Sequence, residues 1–380
     1  MFNPQSTKIG IIGGGQLGKM MTQAAKKMGF YVTVLDPTTN CPAGQVADFQ
    51  IVGDFFNQRK LRELVSQSDV ITFDIERADK SLIDLVKKGY LIYPSPQILE
   101  LIQNKLEQKE FLIENNIPTP AYKKVENIGS EIKEFGFPVV QKRSRGGYDG
   151  RGVFIIRSKK DIEKIIKGES FLEEYIDIEK ELAINIARNR KEEIKCYPVV
   201  ETIFNPKANI CDVVIAPARV SDKIKEKVEE FGIKTIKALG EGAVGIFGIE
   251  MFLAKDGRVL VNEIAPRPHN SGHYTIEACI TSQFEQHIRV IAGLPLGSVE
   301  LLSPAVMVNI LGEEGYEGEA VLKGVKDILQ IPGLSFHFYG KIITKPFRKM
   351  GHITIIDKNL EKAIEKAKKA KKLIKVISKN

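Results

Sequence analysis

Two stretches of the chain hold residues that could do chemistry. In QKRSRGGYDGRGV, residues 141–153, Lys142 ends an apolar run and Gly146, Gly147, Gly150 and Gly152 follow closely. Only glycine adopts positive φ freely, so such a loop can turn successive N–H groups toward an anion held beside the lysine. That is the make-up of a phosphate grip. No Gly-Lys-Ser/Thr follows, so it is not a P-loop, and taken alone the stretch also suits an ordinary hairpin tip.

The second stretch is GIFGIEMFLAKDGRVLVNEIAPRPHNSGH, residues 245–273, with a strong hairpin signal at Asp256-Gly257. If those two residues form the loop, Glu250 faces Glu263; a three-residue loop with a bulge sets Glu250 against Asn262. Either register gathers acidic groups on one patch. Carboxylates roughly 5 Å apart repel unless a cation lies between them, and oxygen ligands that leave room for phosphate oxygens suit magnesium. The alternative is a solvent-exposed pair with one side chain protonated or splayed. Arg267, His269, Asn270 and His273 follow at once, and their density beside a metal suits a substrate site.

A third stretch, KIGIIGGGQLGKMM, points elsewhere. Its Gly13-x-Gly15-x-x-Gly18 turn between an apolar run and a helical one, with Asp36 closing the next apolar run, reads as a dinucleotide-binding unit and raises a hydride-transfer enzyme as the rival. That function leaves the glycine-rich flap, the acidic pair and the basic stretch YGKIITKPFRKMGH without a task.

The elements that must position these groups fall into three units. Over 1–96, apolar runs at 9–12, 31–35, 50–52, 70–73 and 91–93 alternate with helical segments and predict an open parallel α/β sheet. A helix over 97–115 leads into an α+β unit that extends to 295, with strands near 138–141, 171–175, 182–187 and 246–254. Residues 296–380 hold short strands at 305–311, 335–339 and 352–356, closed by a basic helix. With 380 residues, 43% hydrophobic and 27% charged, the composition is globular. The start, MFNPQSTK, lacks a signal-peptide core and no apolar run nears the ~20 residues that span a bilayer, so the cytoplasm is expected. Cys41, Cys196, Cys211 and Cys279 form no C-x-x-C pair and read as reduced and structural. The net charge of +8 concentrates in KNLEKAIEKAKKAKKLIKVISKN. Without interleaved aromatics, that tail reads as a helix with a solvated basic face, and the excess charge suits a phosphorylated small molecule better than nucleic acid.

Taken together the motifs resemble those of the ATP-grasp ligases, and among these the N5-carboxyaminoimidazole ribonucleotide synthetase family. The resemblance runs through GGGQLGKMM, YPSP, RGGYDGRG, FLEEY, EKEL, NEIAPRPHNSGHYTIEACITSQFEQH and RKMGH and covers essentially the whole chain. It implies an α/β ATP-grasp architecture: a Rossmann-like pre-ATP-grasp domain (1–96), an α+β ATP-grasp domain (97–295) and a small, mostly β C-terminal domain (296–380). It further implies a cytoplasmic homodimer with no nucleic-acid or membrane partner, using ATP, bicarbonate and magnesium. ATP would phosphorylate bicarbonate to carboxyphosphate, whose carboxyl group reaches the amine of aminoimidazole ribonucleotide by way of released carbon dioxide.

Carried onto this chain, the resemblance makes Lys105 and Lys142 contacts of ATP phosphates or adenine. Gly147, Tyr148, Asp149, Gly150, Arg151, Gly152 and Val153 become the flap over the nucleotide. Glu173, Glu174, Tyr175 and Ile176 line the adenine and hinge, Glu181 holds the ribose, and Phe204 and Asn262 adjoin the nucleotide. Glu250 and Glu263 bind magnesium. For the ribonucleotide it implies Gln16, Glu76, Tyr148, Asp149, Arg267, Lys341 and Arg348, with Tyr148, Lys341 and Arg348 on the 5′-phosphate. Arg267, His269, Asn270 and Asp149 form the catalytic set, Arg267 facing carboxyphosphate charge. The chain departs from the family pattern at Asp74, Arg77, Phe204, Lys345 and Phe347, where glutamate, histidine or asparagine, histidine, arginine and glycine are usual. A formate-dependent ligase acting on glycinamide ribonucleotide shares the architecture, and a binding module without catalysis is a further alternative.

Overall fold

The computed structural model describes residues 3–76, 80–125, 128–146 and 152–379. Strands Lys8–Ile12, Tyr31–Asp36, Phe49–Val52 and Val70–Phe73 form a parallel sheet in the order third, second, first, fourth. Side chains alternate across it, so Ile9, Ile11, Val32 and Val34 pack against Met20 and Met21 of helix Gln16–Lys27. Ile12, Leu35, Ile71 and Phe73 pack against Leu61 and Leu64 of helix Gln58–Ser66. Burial of both faces explains why the first, second and fourth strands are apolar over most of their length, whereas the edge strand Phe49–Val52 is largely exposed. The expected strand at 91–93 is reduced to one bridge, Ile71 to Ile92, because Pro94 follows at once and has no N–H to continue the ladder.

The expected helix over 97–115 is two helices, Pro96–Gln103 and Lys105–Glu114. Asn104 breaks it: its backbone is extended, and its side-chain oxygen accepts from the N–H groups of Leu106 and Glu107, capping the second helix. Lys105 N–H donates to the Ser144 carbonyl (2.8 Å), which ties the cap to the strand bearing Lys142.

Two further sheets flank the cleft described below. The smaller orders Tyr122–Lys124, Ser170–Glu174, Val139–Arg143 and Val153–Ile156. The larger runs Val259–Ala265, Gly245–Ala254, Ile178–Arg188, Val200–Phe204, Cys211–Ala216, Ala305–Leu311, Lys349–Ile356 and Leu334–Phe338, with Ile194–Cys196 paired to Ile178–Arg188. Helix Asp222–Ala238 covers part of it through Val228 and Ile236 against Ile184, Ile186 and Ile249. The basic helix Leu360–Leu373 sets Ala363, Ile364, Ala367 and Ala370 on Val306, Val308, Ile353 and Ile355. The chain goes on beyond this helix to a further strand, Lys375–Ser378, that pairs with Gly318–Lys323. Phe347 is left-handed (φ 62°), a conformation that costs a bulky residue about 1–2 kcal/mol and that glycine takes freely.

Candidate active site

The acidic hairpin combines both registers left open by its sequence. Next to the turn Leu253 pairs with Val259 and Met251 with Val261 around a three-residue loop in which Gly257 takes φ +84°. A bulge between Glu250 and Met251 then shifts the register by one, and Glu250 pairs with Glu263. On the other side Phe252 pairs with Glu181, two residues along from Glu250, so Glu181, Glu250 and Glu263 share one face. Burial, with Glu263 and Glu181 adding repulsion, pushes the Glu250 carboxyl up to about 8. Burial likewise raises Glu181 to about 7. Glu263 is half-buried, yet Lys105 Nζ at 2.8 Å outweighs the desolvation and holds it below the ordinary carboxylate range. His269 Nε2 lies 3.4 Å from Glu250 Oε1.

Helix Lys105–Glu114 delivers two cations from one face, since Lys105 and Lys109 are four residues apart. Lys109 Nζ pairs with Glu173 Oε1 (2.6 Å) and donates to Thr119 Oγ1 (2.7 Å). Lys142 Nζ reaches the other oxygen of Glu173 (2.5 Å) and donates to Asn262 Oδ1 (2.9 Å). Burial lowers Lys109 to about 8 despite Glu173. Burial alone would raise Glu173, but the two lysines hold it below its ordinary value. Glu173 is thus the shared counter-ion of Lys109 and Lys142, while Glu174 turns to Arg258 Nη2 (2.7 Å).

At the other end stands the Gly13–Gly18 turn. Gly14 N–H donates to Asp36 Oδ2 (2.7 Å), and Asp74 lies against the N–H groups of Gly15 and Gly18 at the start of helix Gln16–Lys27. A Cβ on Gly15 would come within 2.6 Å of Asp74 Oδ2. Two carboxylates of the chain therefore occupy the place where a pyrophosphate would lie, which removes the structural basis for hydride transfer. Burial, opposed by Arg267, lifts Asp74 to about 6. Arg267 Nη2 pairs with Glu76 Oε1 (2.7 Å).

These groups open on a single cleft of about 560 Å³. Its lining includes Lys105, Lys142, Val153, Glu173, Glu174, Tyr175 and Ile176 from one region and Glu181, Phe204, Glu250, Asn262 and Glu263 from the large sheet. Glu76, Arg267, His269 and Asn270 complete it. Val140, Val153, Ile155, Ile176 and Phe252 give it apolar surface of the kind that receives a planar base.

Three family models match the chain in succession: the ribonucleotide synthetase preATP-grasp domain over residues 6–103, the ATP-grasp domain over 110–284 and the phosphoribosylaminoimidazole carboxylase C-terminal domain over 305–366. The N5-carboxyaminoimidazole ribonucleotide synthase of Bacillus subtilis is 39% identical over 92% of this chain and 91% of its own length. The chain belongs to the N5-carboxyaminoimidazole ribonucleotide synthase family. Within that family, the Thermotoga maritima synthetase structure is 60% identical, with a TM-score of 0.91 over 98% of this chain and 100% of that one. An Aspergillus clavatus synthase structure in complex with ADP and 5-aminoimidazole ribonucleotide is 35% identical, with a TM-score of 0.88 over 96% and 97%. Against the phosphoribosylaminoimidazole carboxylase of Ogataea methanolica the identity is 41%, and the chain spans 67% of that relative's length; for that of Vigna aconitifolia it spans 64%.

Not every residue singled out by the family resemblance reaches the cleft. Gln16, Lys341 and Arg348 are absent from its lining. Lys341 Nζ donates to the Lys349 carbonyl (2.8 Å) and Arg348 Nη1 to that of Ile343 (2.6 Å). Gly147, Tyr148, Asp149, Gly150 and Arg151 lie outside the described residues; Gly152, the next in the chain, has φ +83°, its carbonyl accepting from Arg143 N–H (2.8 Å). Conversely Lys349 and Asp74 line the cleft, and Lys109 anchors Glu173 behind it. The i, i+4 spacing from Lys105 is the sequence signal for Lys109. Among the described residues no group of three or more His, Cys, Asp or Glu side chains is arranged to hold a metal, and no helix is long and apolar enough to cross a membrane.

Proposed function

We propose that the chain carboxylates 5-aminoimidazole ribonucleotide with bicarbonate, consuming ATP and yielding N5-carboxyaminoimidazole ribonucleotide, ADP and phosphate through carboxyphosphate. The observation that carries this is the cleft itself, where a facing carboxylate pair, two lysines and the Arg267-His269-Asn270 run converge in a chain of this family. Lys105 and Lys142 offset the charge of the ATP phosphates, the apolar surface receives adenine, and Glu181 accepts from the ribose. Glu250 and Glu263 would hold magnesium: desolvation first, and then repulsion from Glu263 and Glu181, raise the Glu250 carboxyl, and a cation between the carboxylates relieves both. When bound, the ion would offset charge on the phosphate oxygens. Two charged ligands are enough where phosphate oxygens complete the set.

Bicarbonate oxygen attacks the γ-phosphorus and ADP leaves. The planar fork of Arg267, held by Glu76, meets the developing oxyanions of carboxyphosphate. The amine of the ribonucleotide then bonds to the carboxyl carbon, freed as carbon dioxide, while its proton leaves with phosphate. Asp149 completes the catalytic set, and Tyr148 and Gln16 belong to the ribonucleotide side. Lys341 and Arg348, joined by Lys349, supply cations of the third unit for the 5′-phosphate. The units are assigned as 1–96, 97–295 and 296–380. A cytoplasmic homodimer completes the proposal; the four cysteines, all free, suit a reducing compartment. ADP release measured with aminoimidazole ribonucleotide, with and without bicarbonate, tests it. Turnover with glycinamide ribonucleotide and formate instead would reassign the substrate.

A further inference from the structure

Asn309 lies on strand Ala305–Leu311, beyond the cleft lining, and is 3% exposed. Its Nδ2 donates to Asn270 Oδ1 (2.7 Å), and Asn270 Nδ2 donates back to Asn309 Oδ1 (3.1 Å). Asn309 Nδ2 also donates to the carbonyl of Cys211 (2.8 Å). A peptide carbonyl only accepts, so Cys211 fixes which end of the Asn309 amide is nitrogen. That choice fixes Asn270 in turn, since its amide must offer oxygen to the remaining N–H of Asn309 and nitrogen to the Asn309 oxygen. One N–H of Asn270 is used in the pair. The other meets no protein acceptor among the described residues, and Asn270 lines the cleft beside Arg267, His269 and Lys349.

We propose that Asn309 is a positioning residue that locks the Asn270 amide so that an N–H, and not the carbonyl oxygen, is presented to an oxyanion of the bound substrate. Unlocked, the amide can rotate and turn its oxygen toward the anion, replacing attraction by repulsion. A donor held in place before reaction contributes more than one that must be turned during it. The pair also spans two units, with Asn270 in a short 3-10 turn, Asn270–Gly272, and Asn309 on a strand of the third. The third unit would thus set the orientation of a group in the ATP-grasp cleft. This rests on Asn270 being a site residue of the proposed carboxylation.

The test is a double-mutant cycle read by ADP release and thermal melting, on Asn309→Leu, Asn270→Ala and the double variant. Asn309→Leu, close to asparagine in volume, should lower kcat roughly tenfold, the equivalent of about one hydrogen bond, with the KM for ATP unchanged within about twofold. In the Asn270→Ala background the same substitution should have no further effect on kcat. An equal loss in both backgrounds would show a general structural effect and overturn the proposal. Normal turnover of Asn309→Leu beside a slow Asn270→Ala would overturn the positioning role alone, whereas full turnover of Asn270→Ala would remove Asn270 from the reaction. Should Asn309→Leu not fold, Asn309→Asp keeps the shape but cannot donate; it should show the same loss, and normal kcat in it overturns the proposal.

Discussion

Replacing Glu173 by glutamine tests whether the two buried lysines depend on one carboxylate. Glu173 is 2% exposed in its side chain, Lys109 3% and Lys142 11%, so solvent screens these pairs little. Removing one partner of a buried pair costs about 3–5 kcal/mol, because the remaining charge stays desolvated. For a cooperative unit of 150–250 residues that corresponds to a fall in Tm of roughly 6–20 °C. Lys142 would keep only its bond to Asn262 and should hold nucleotide less well. The effect has a pH signature. Burial places Lys109 at about 8, below the ordinary lysine value, with Glu173 opposing the shift. In Glu173→Gln that opposition is gone and Lys109 loses its proton at still lower pH. The stability gap between parent and variant should therefore be widest below that lower pKa and narrow as pH rises toward about 8. Scanning calorimetry at pH 6.5 and 8.5 reads both effects. A Tm within a degree or two of the parent at pH 6.5 would show that Glu173 is not the counter-ion described here.

Glu263→Gln should keep the fold and cut ADP release roughly a hundredfold or more at saturating magnesium and ATP; near-normal turnover would remove the pair from metal binding. Lys349→Ala should weaken aminoimidazole ribonucleotide roughly 10- to 150-fold, from about 1.5–3 kcal/mol for a charged hydrogen bond, while Arg348→Ala has a smaller effect. Titration calorimetry showing the reverse order would make Arg348 the principal phosphate contact and Lys349 the lesser one. Burial holds His273, His287 and His352 neutral, His287 down to about 3, as the Ile246 N–H donates to its Nδ1 (3.1 Å). All three folded values lie below the unfolded one, so their contribution is fully present above about pH 6.5 and is lost as pH falls below it. The slope is about 1.4 kcal/mol per pH unit per group. The raised carboxyls of Glu250, Glu181 and Asp74 act in the opposite sense over the same range, so the measure is a comparison. Between pH 6.5 and 5.5 the parent should lose roughly 1 kcal/mol more unfolding free energy than His287→Gln, read from urea midpoints, and the same pH dependence in both would contradict the burial of His287.

Features that depend on local spacing could be read from the sequence, and features that depend on distant partners could not. Asp256-Gly257 placed the hairpin and hence the acidic patch, but only the bulge at Glu250 joins the two registers, and a bulge leaves no mark in composition. The Gly13–Gly18 turn was visible, whereas its occupation by Asp36 and Asp74 depends on neighbouring strands brought beside it. A helix pattern continues across Asn104 in apolar spacing, and the break is evident only from a cap that also answers to Ser144. The Lys109-Glu173-Lys142 group joins a helix to two strands, and nothing in any of the three announces the others.

The large sheet passes without a break from the ATP-grasp strands into residues 305–356, through the pairing of Cys211–Ala216 with Ala305–Leu311. The last eighty-odd residues are therefore not a detachable cassette. Ending the chain at residue 295 would strip the partner from Cys211–Ala216 and leave a row of open N–H and C=O groups on a strand whose Val214, Ile215 and Ala216 are buried in the intact protein. Such an edge recruits other chains. A shortened protein of this kind should aggregate instead of serving as a minimal nucleotide-binding core, and shuffling of this family's third unit between relatives would have to preserve that one strand-to-strand register before any contact with substrate.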